Sequence, residues 1–234
     1  MYEGAHARPD GPSTVARVAQ TARAYGFEGV VVRNHDDSSA EYDADRIEAE
    51  YGIDVVDGIE IRADSPDQAS GSVGHYRPSK TLLAIHGGTN EMNRFAVENE
   101  KVDVLAHPVA GGGDVNHVLV KAAVENGVRL EFNLGAVLRK SGGRRVRTIQ
   151  SLRKLRELVD YYDAPYVVSA DPASHLEFRA PRELRALGEQ LGVSGAWIEA
   201  GLEEWRALAE RNRTIQSDSF IEPGVERGHY EEES

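Results

Sequence analysis

The 234-residue sequence contains no cysteine, which excludes disulfides and thiolate chemistry. No run of about 18 apolar residues is present, so a bilayer-spanning helix is not expected. The opening MYEGAHARPDG lacks the charged-then-apolar pattern of a secretory leader, and a cytoplasmic location without a membrane partner is the expectation. Lysine is scarce: Lys80, Lys101, Lys121, Lys140 and Lys154 are five of 27 basic residues, set against 39 Asp plus Glu. An acidic, lysine-poor surface suits concentrated salt, where a Debye length of roughly 3 Å at 1 M mutes carboxylate repulsion. A halophilic source is expected. There is no internal repeat and no linker-like stretch, so one domain over residues 1–213 is expected, with an acidic, disordered tail over 214–234 ending HYEEES.

What is present is a regular alternation. Short Val/Ile/Leu-rich runs at 29–34, 54–61, 81–87, 102–108, 128–134 and 165–171 read as buried strands. Ser13, Thr89 and Asp114 read as N-caps, and Gly26 and Gly127 as residues just past helix ends. Strand and helix alternating, with no dinucleotide fingerprint, predicts an α/β fold: an irregular TIM-like barrel of about seven parallel strands with outer helices. The stretch SPDQASGSVGHYRP, 65–78, is too rich in Gly and Ser to predict a helix, and the first strand near MYEGAH is weak. After the last strand come two helices, PRELRALGEQLG and SGAWIEAGLEEWRALAERN; Trp197 and Trp205 of the second read as packing residues.

Active sites of such barrels lie at the C-terminal ends of the strands. His35, Glu60, His86, His107, Glu131, Ser169 and Asp171 fall there, and His6 follows the first strand. Imidazoles and carboxylates converging on one mouth can hold metals that clamp the oxygens of a phosphoester. The order HARPDG, NHDD, GIEI, LAHP, SAD resembles the polymerase and histidinol phosphatase family. That resemblance implies a metal-dependent phosphoesterase using His6, His35, Glu60, His107 and Asp171. The family's His-x-His reads Gly4-Ala5-His6 here, Asn34 stands where that family has Asp, and its Asp-x-His reads Asp171-Pro172-Ala173, with His175 two residues too late. Those losses imply a vestigial site with no tightly bound metal.

A second feature is the stretch RKSGGRRVRTIQSLRKLR, 139–156, which carries eight basic residues and no acid in a chain of net charge -12. Ile149, Leu152, Leu155, Val159 and Tyr162 fall on one helical face after Gly143, leaving Arg147, Arg153 and Lys154 toward solvent. Arg139, Lys140, Arg144 and Arg145 are expected in the preceding loop, and Arg179 near a helix start is a further phosphate candidate. Six of the eight are Arg, whose fork grips phosphate and stacks on bases. Gly111 to Asp114 lacks the Lys-Ser/Thr of a P-loop and reads as a turn.

VDVLAHP, VRLEFNLGAVLRKSGGRRVRTIQSLRKL and YDAPYVVSADPASHLEFRAPRELRALGEQLGV, in that order, resemble the archaeal ribonuclease P protein component 3 family, related to the eukaryotic p30 subunit. The resemblance covers nearly the whole chain. It implies a phosphatase-like barrel with a decayed metal site, in a ribonucleoprotein that removes the 5′ leader of precursor tRNA. In that particle the RNA is the catalyst and requires magnesium, while the isolated protein is not catalytic. The partners implied are ribonuclease P RNA, precursor tRNA and other protein subunits, especially a small sheet-containing one. At high salt, counterion release contributes little, so shape, stacking and protein contacts must add to phosphate binding.

Overall fold

All six apolar runs form strands, and the weak N-terminal one does too. In the computed structural model, which describes residues 1–217, 220–222 and 225–226, the strands are β1 (Tyr2–Ala5), β2 (Gly29–Val32), β3 (Asp54–Ile61), β4 (Leu82–His86), β5 (Val104–Ala106), β6 (Arg129–Asn133) and β7 (Tyr166–Ser169). They run parallel in chain order, β1 to β7, in one sheet that curls into a nearly closed barrel. Around it lie α1 (Val15–Ala24), α2 (Ala44–Tyr51), α3 (Pro66–Tyr76), α4 (Asn90–Val97), α5 (His117–Asn126), α6 (Gly135–Arg139), α7 (Gly142–Tyr162), α8 (Pro181–Leu191) and α9 (Gly195–Gln216). The irregular TIM-like barrel expected from the alternation is the observed fold.

The irregularity is the seam between β1 and β7, whose strands are not paired in the sheet. Side chains bridge it instead. The buried Glu3 carboxylate accepts from the Ser169 hydroxyl at 2.6 Å and from the Ala170 amide at 3.1 Å. The Trp205 indole donates to the Val168 carbonyl at 2.9 Å. Trp205, Leu208 and Ala209 of α9 pack with Tyr2, Val31, Val56 and Val167 as a core of their own, apart from the apolar layer beneath the outer helices. Trp205 is therefore a packing residue, as expected; Trp197 stacks on Tyr166 with ring centroids 4.1 Å apart.

Several local expectations need correction. Residues 66–76 are helical: Ser65 caps the Gln68 amide, Pro66 opens the first turn, and Ala69 and Val73 are buried. Gly71 and Gly74 face open space, so their small size weakened the sequence signal without opposing the helix. The caps of α1 and α5 are Thr14 and Asn116, not Ser13 and Asp114; Thr89 caps α4 as expected. Disorder from residue 214 does not hold for 214–216, which complete α9, or for Phe220–Glu222 and Val225–Glu226, which pair as short antiparallel strands. The rest of the expected tail lies outside the described residues.

Candidate nucleic-acid interface

The C-terminal ends of the strands bring His6, His35, Glu60, His86, His107 and Asp171 together. Asp10 joins them from the turn after β1, a residue the sequence pattern did not single out. One Asp10 oxygen meets His6 Nδ1 at 2.6 Å and His35 Nδ1 at 2.9 Å, while His6 Nε2 lies 3.1 Å from Asp171. Glu60 Oε1 meets His86 Nδ1 at 2.5 Å and lies 3.4 Å from His107 Nε2. His107 and Asp171 are non-glycine residues in the left-handed region, at φ 52° and 50°. Such backbone costs of order 1–2 kcal/mol and is held here by hydrogen bonds: the His107 amide donates to Glu131 and the Asp171 amide to the Ser169 hydroxyl. His175 bonds Ser13 at 2.8 Å, apart from this cluster.

Beneath the histidines sits Arg33, fully buried, which the sequence pattern did not reveal. Its Nε and NH2 donate to Glu60 Oε2 at 2.9 and 2.5 Å, and its NH1 donates to Glu131. Glu131 thus holds a guanidinium as well as the His107 amide. Burial raises the Glu60 and Asp171 carboxyls, but the Arg33 charge and their histidine partners hold both well below the usual carboxylate range. Burial likewise pulls His6 and His35 down, and hydrogen bonds to Asp10, Asp171 and Glu60 outweigh it, so each imidazole is pushed up to about 9. At Glu3 burial outweighs the Ser169 hydroxyl, the Ala170 amide and the Arg33 charge, and raises the carboxyl to about 8.

The mouth continues into the basic stretch through α6. Arg139, at the end of that helix, donates to the Ala170 and Asp171 carbonyls at 3.0 and 2.9 Å and lies 3.4 Å from Glu177. Arg144 and Arg145 are not in a loop: α7 starts at Gly142, whose φ of 54° only glycine adopts readily, so both lie in its first turn. Residues 141–147 are all exposed, and Leu152, Leu155 and Val159 dock the rest of the helix on the barrel. Lys140, Arg144 and Arg147 have no side-chain partner among the described residues, and they line an open concavity of about 460 Å³ with Arg139, Ser141 and Gly143. Among the described residues Arg145 engages only its Nε, on the Lys140 carbonyl.

The second half of α7 differs. Arg153 donates to the Leu191 and Gln190 carbonyls, capping the C-terminus of α8, and Lys154 pairs with Asp114 at 2.7 Å. The side chains expected to point freely to solvent there are engaged. Arg179 donates to its neighbour's carbonyl on Phe178, and Glu183 already caps the Ala180 amide at the start of α8. The 111–114 segment is a turn, its Gly113 amide bonded to the Ala110 carbonyl.

Comparison with known proteins accords with this geometry. A family model described as RNase P subunit p30 matches residues 3–217. Ribonuclease P protein component 3 of the halophilic archaeon Natronomonas pharaonis is 61% identical over 225 residues, covering 96% of this chain and 94% of that protein. A chain in a cryo-EM structure of archaeal ribonuclease P with mature tRNA superposes with a TM-score of 0.82 at 25% identity, over 100% of both chains. Histidinol phosphate phosphatase from Lactococcus lactis, complexed with zinc, L-histidinol and phosphate, is similar in fold, with a TM-score of 0.53 at 13% identity over 90% of this chain and 93% of that one. The chain belongs to the RNase P subunit p30 family, and with it to the protein subunits of the tRNA-processing holoenzyme ribonuclease P.

Proposed function

We propose that this subunit binds and stabilises the catalytic RNA of ribonuclease P through the exposed N-terminal half of α7. One observation carries the reading: three cations without partners among the described residues, Lys140, Arg144 and Arg147, surround the start of a 21-residue helix that has no acid in its first turn and no side-chain cap. The N-terminal end of a helix is itself positive, so basic residues there raise the energy of the free protein. A phosphate group relieves both, accepting from the open backbone amides and from the guanidinium forks. Arg145 extends the surface, while Arg153, Lys154 and Arg179 act within the chain. Arg139 braces the junction between this helix and the barrel mouth.

In this reading the RNA supplies the catalysis with magnesium of its own, and the isolated chain cleaves nothing. Precursor tRNA reaches the subunit inside the particle, and a small sheet-containing protein subunit is the expected neighbour. The test is to tag the chain in its host, purify it at native salt and sequence the RNA recovered. Enrichment of one structured RNA with 5′-extended tRNAs is expected; recovery of no specific RNA would overturn the proposal.

A further inference from the structure

The zinc-bound phosphatase of similar fold raises the question of whether the mouth of this barrel is built for a metal. Among the described residues, two trios bring ligand-type atoms within 4.8 Å of one another: His6, Asp10, His35 and His35, Glu60, His86. Both are already joined internally. His6 and His35 share a single Asp10 oxygen, and His86 holds Glu60 Oε1. In the second trio Glu60 is the carboxylate that would have to bind an ion, and its second oxygen carries two N–H groups of Arg33. Glu131, the neighbouring buried acid, accepts from Arg33 on one oxygen and from the His107 amide on the other. Two buried carboxylates need compensating positive charge, and the chain supplies it covalently.

Gly4 makes the arrangement possible. A Cβ at position 4 would lie 2.8 Å from Arg33 Cδ and 3.4 Å from the Trp205 ring. Any side chain there, a ligating histidine included, would collide with the arginine stem. The guanidinium carbon lies 5.6 Å from the centroid of the Trp205 ring, which closes it off from the opposite end of the barrel. Absence of a side chain at 4 and presence of arginine at 33 are one structural exchange: a position that could have offered a ligand gives its space to a fixed cation.

We propose that Arg33 replaces a metal ion, its guanidinium bridging Glu60 and Glu131 where a divalent cation would otherwise sit, so that the barrel mouth folds and holds its shape without metal. A divalent cation on the free edge of Glu60 would face the arginine charge across one carboxylate. This inference is independent of the RNA-binding reading of α7 and stands or falls without it.

The experiment uses the full chain at high salt, with Zn²⁺ and Mn²⁺ as probes and two readouts, retained metal after chelator dialysis and the melting midpoint. The wild type is expected to retain less than about a tenth of an equivalent and to melt at the same temperature with either ion. Arg33→Met removes the charge while keeping the stem's bulk. Its midpoint should fall by about 10 °C or more, since it strips two buried carboxylates of the cation they share, and either ion should restore much of the loss with about one equivalent bound. Arg33→Met combined with Glu131→Met should melt closer to the wild type and gain no metal, which keeps the test decisive if the single variant is insoluble. One equivalent of metal held by the wild type, or an Arg33→Met chain that melts unchanged, would overturn the proposal.

Discussion

Replacing Arg144 and Arg147 by Gln isolates the proposed RNA-binding surface. Neither side chain has a partner among the described residues and both are exposed, so the folding cost should stay within about 0.5 kcal/mol. Each phosphate that goes unneutralised lowers the slope of log K against log salt by about 0.7 on single strands and about 0.9 on duplex. Two such phosphates predict a change of roughly 1.4 to 1.8 in slope, so a tenfold drop in salt should widen the wild-type advantage by roughly 25- to 60-fold. Fluorescence anisotropy with labelled ribonuclease P RNA, over a tenfold span of KCl, measures both lines. Arg153→Gln is the control in the same helix. It removes two bonds to the C-terminus of α8, so it should lower the melting midpoint by a few degrees and leave the salt slope unchanged. Parallel lines for wild type and the Arg144/Arg147 variant would refute the assignment of the free cations to phosphate.

Stability should fall as pH rises from about 6.5 to 9. His6 and His35 have folded values raised from 6.5 to about 9, so the native state holds more protons across that window and loses the advantage as pH passes through it. Glu3, raised from 4.5 to about 8, acts with the same sign, and denaturation midpoints at fixed salt from pH 5 to 9 would read the sum. Glu3→Gln mimics the protonated acid, so it should leave stability near pH 5 within about 1 kcal/mol and flatten the decline toward pH 8, a pattern missing if the carboxyl titrates normally. Trp205→Ala should cost about 3–5 kcal/mol in urea unfolding, since it empties the end of the barrel and strips the Val168 carbonyl of its donor. Arg139→Ala should lower stability by about 1–3 kcal/mol by freeing two carbonyls on the β7 side of the mouth, and a melting midpoint unchanged from wild type would show that the brace contributes nothing.

The strands were legible because a parallel barrel buries both faces of each, and such strands leave continuous runs of Val, Ile and Leu. The seam was not. Glu3 looks like an ordinary surface acid in MYEGAH, and only the missing ladder between β1 and β7 makes it the group that closes the barrel. A comparable limit applies to the basic stretch. Its charge and its buried face could be read from spacing, but which cations are free depends on where α8 ends, 37 and 38 residues further on, because the carbonyls there take up Arg153. The barrel mouth shows the limit most clearly. Arg33 ends the run GVVVR like any polar residue at a strand terminus, while its carboxylate partners lie 27 and 98 positions away. From the sequence, Gly4 registers as a missing ligand. In the fold it is the space that Arg33 requires, so the missing side chain at position 4 and the buried cation shared by Glu60 and Glu131 belong to one arrangement that only the folded barrel reveals.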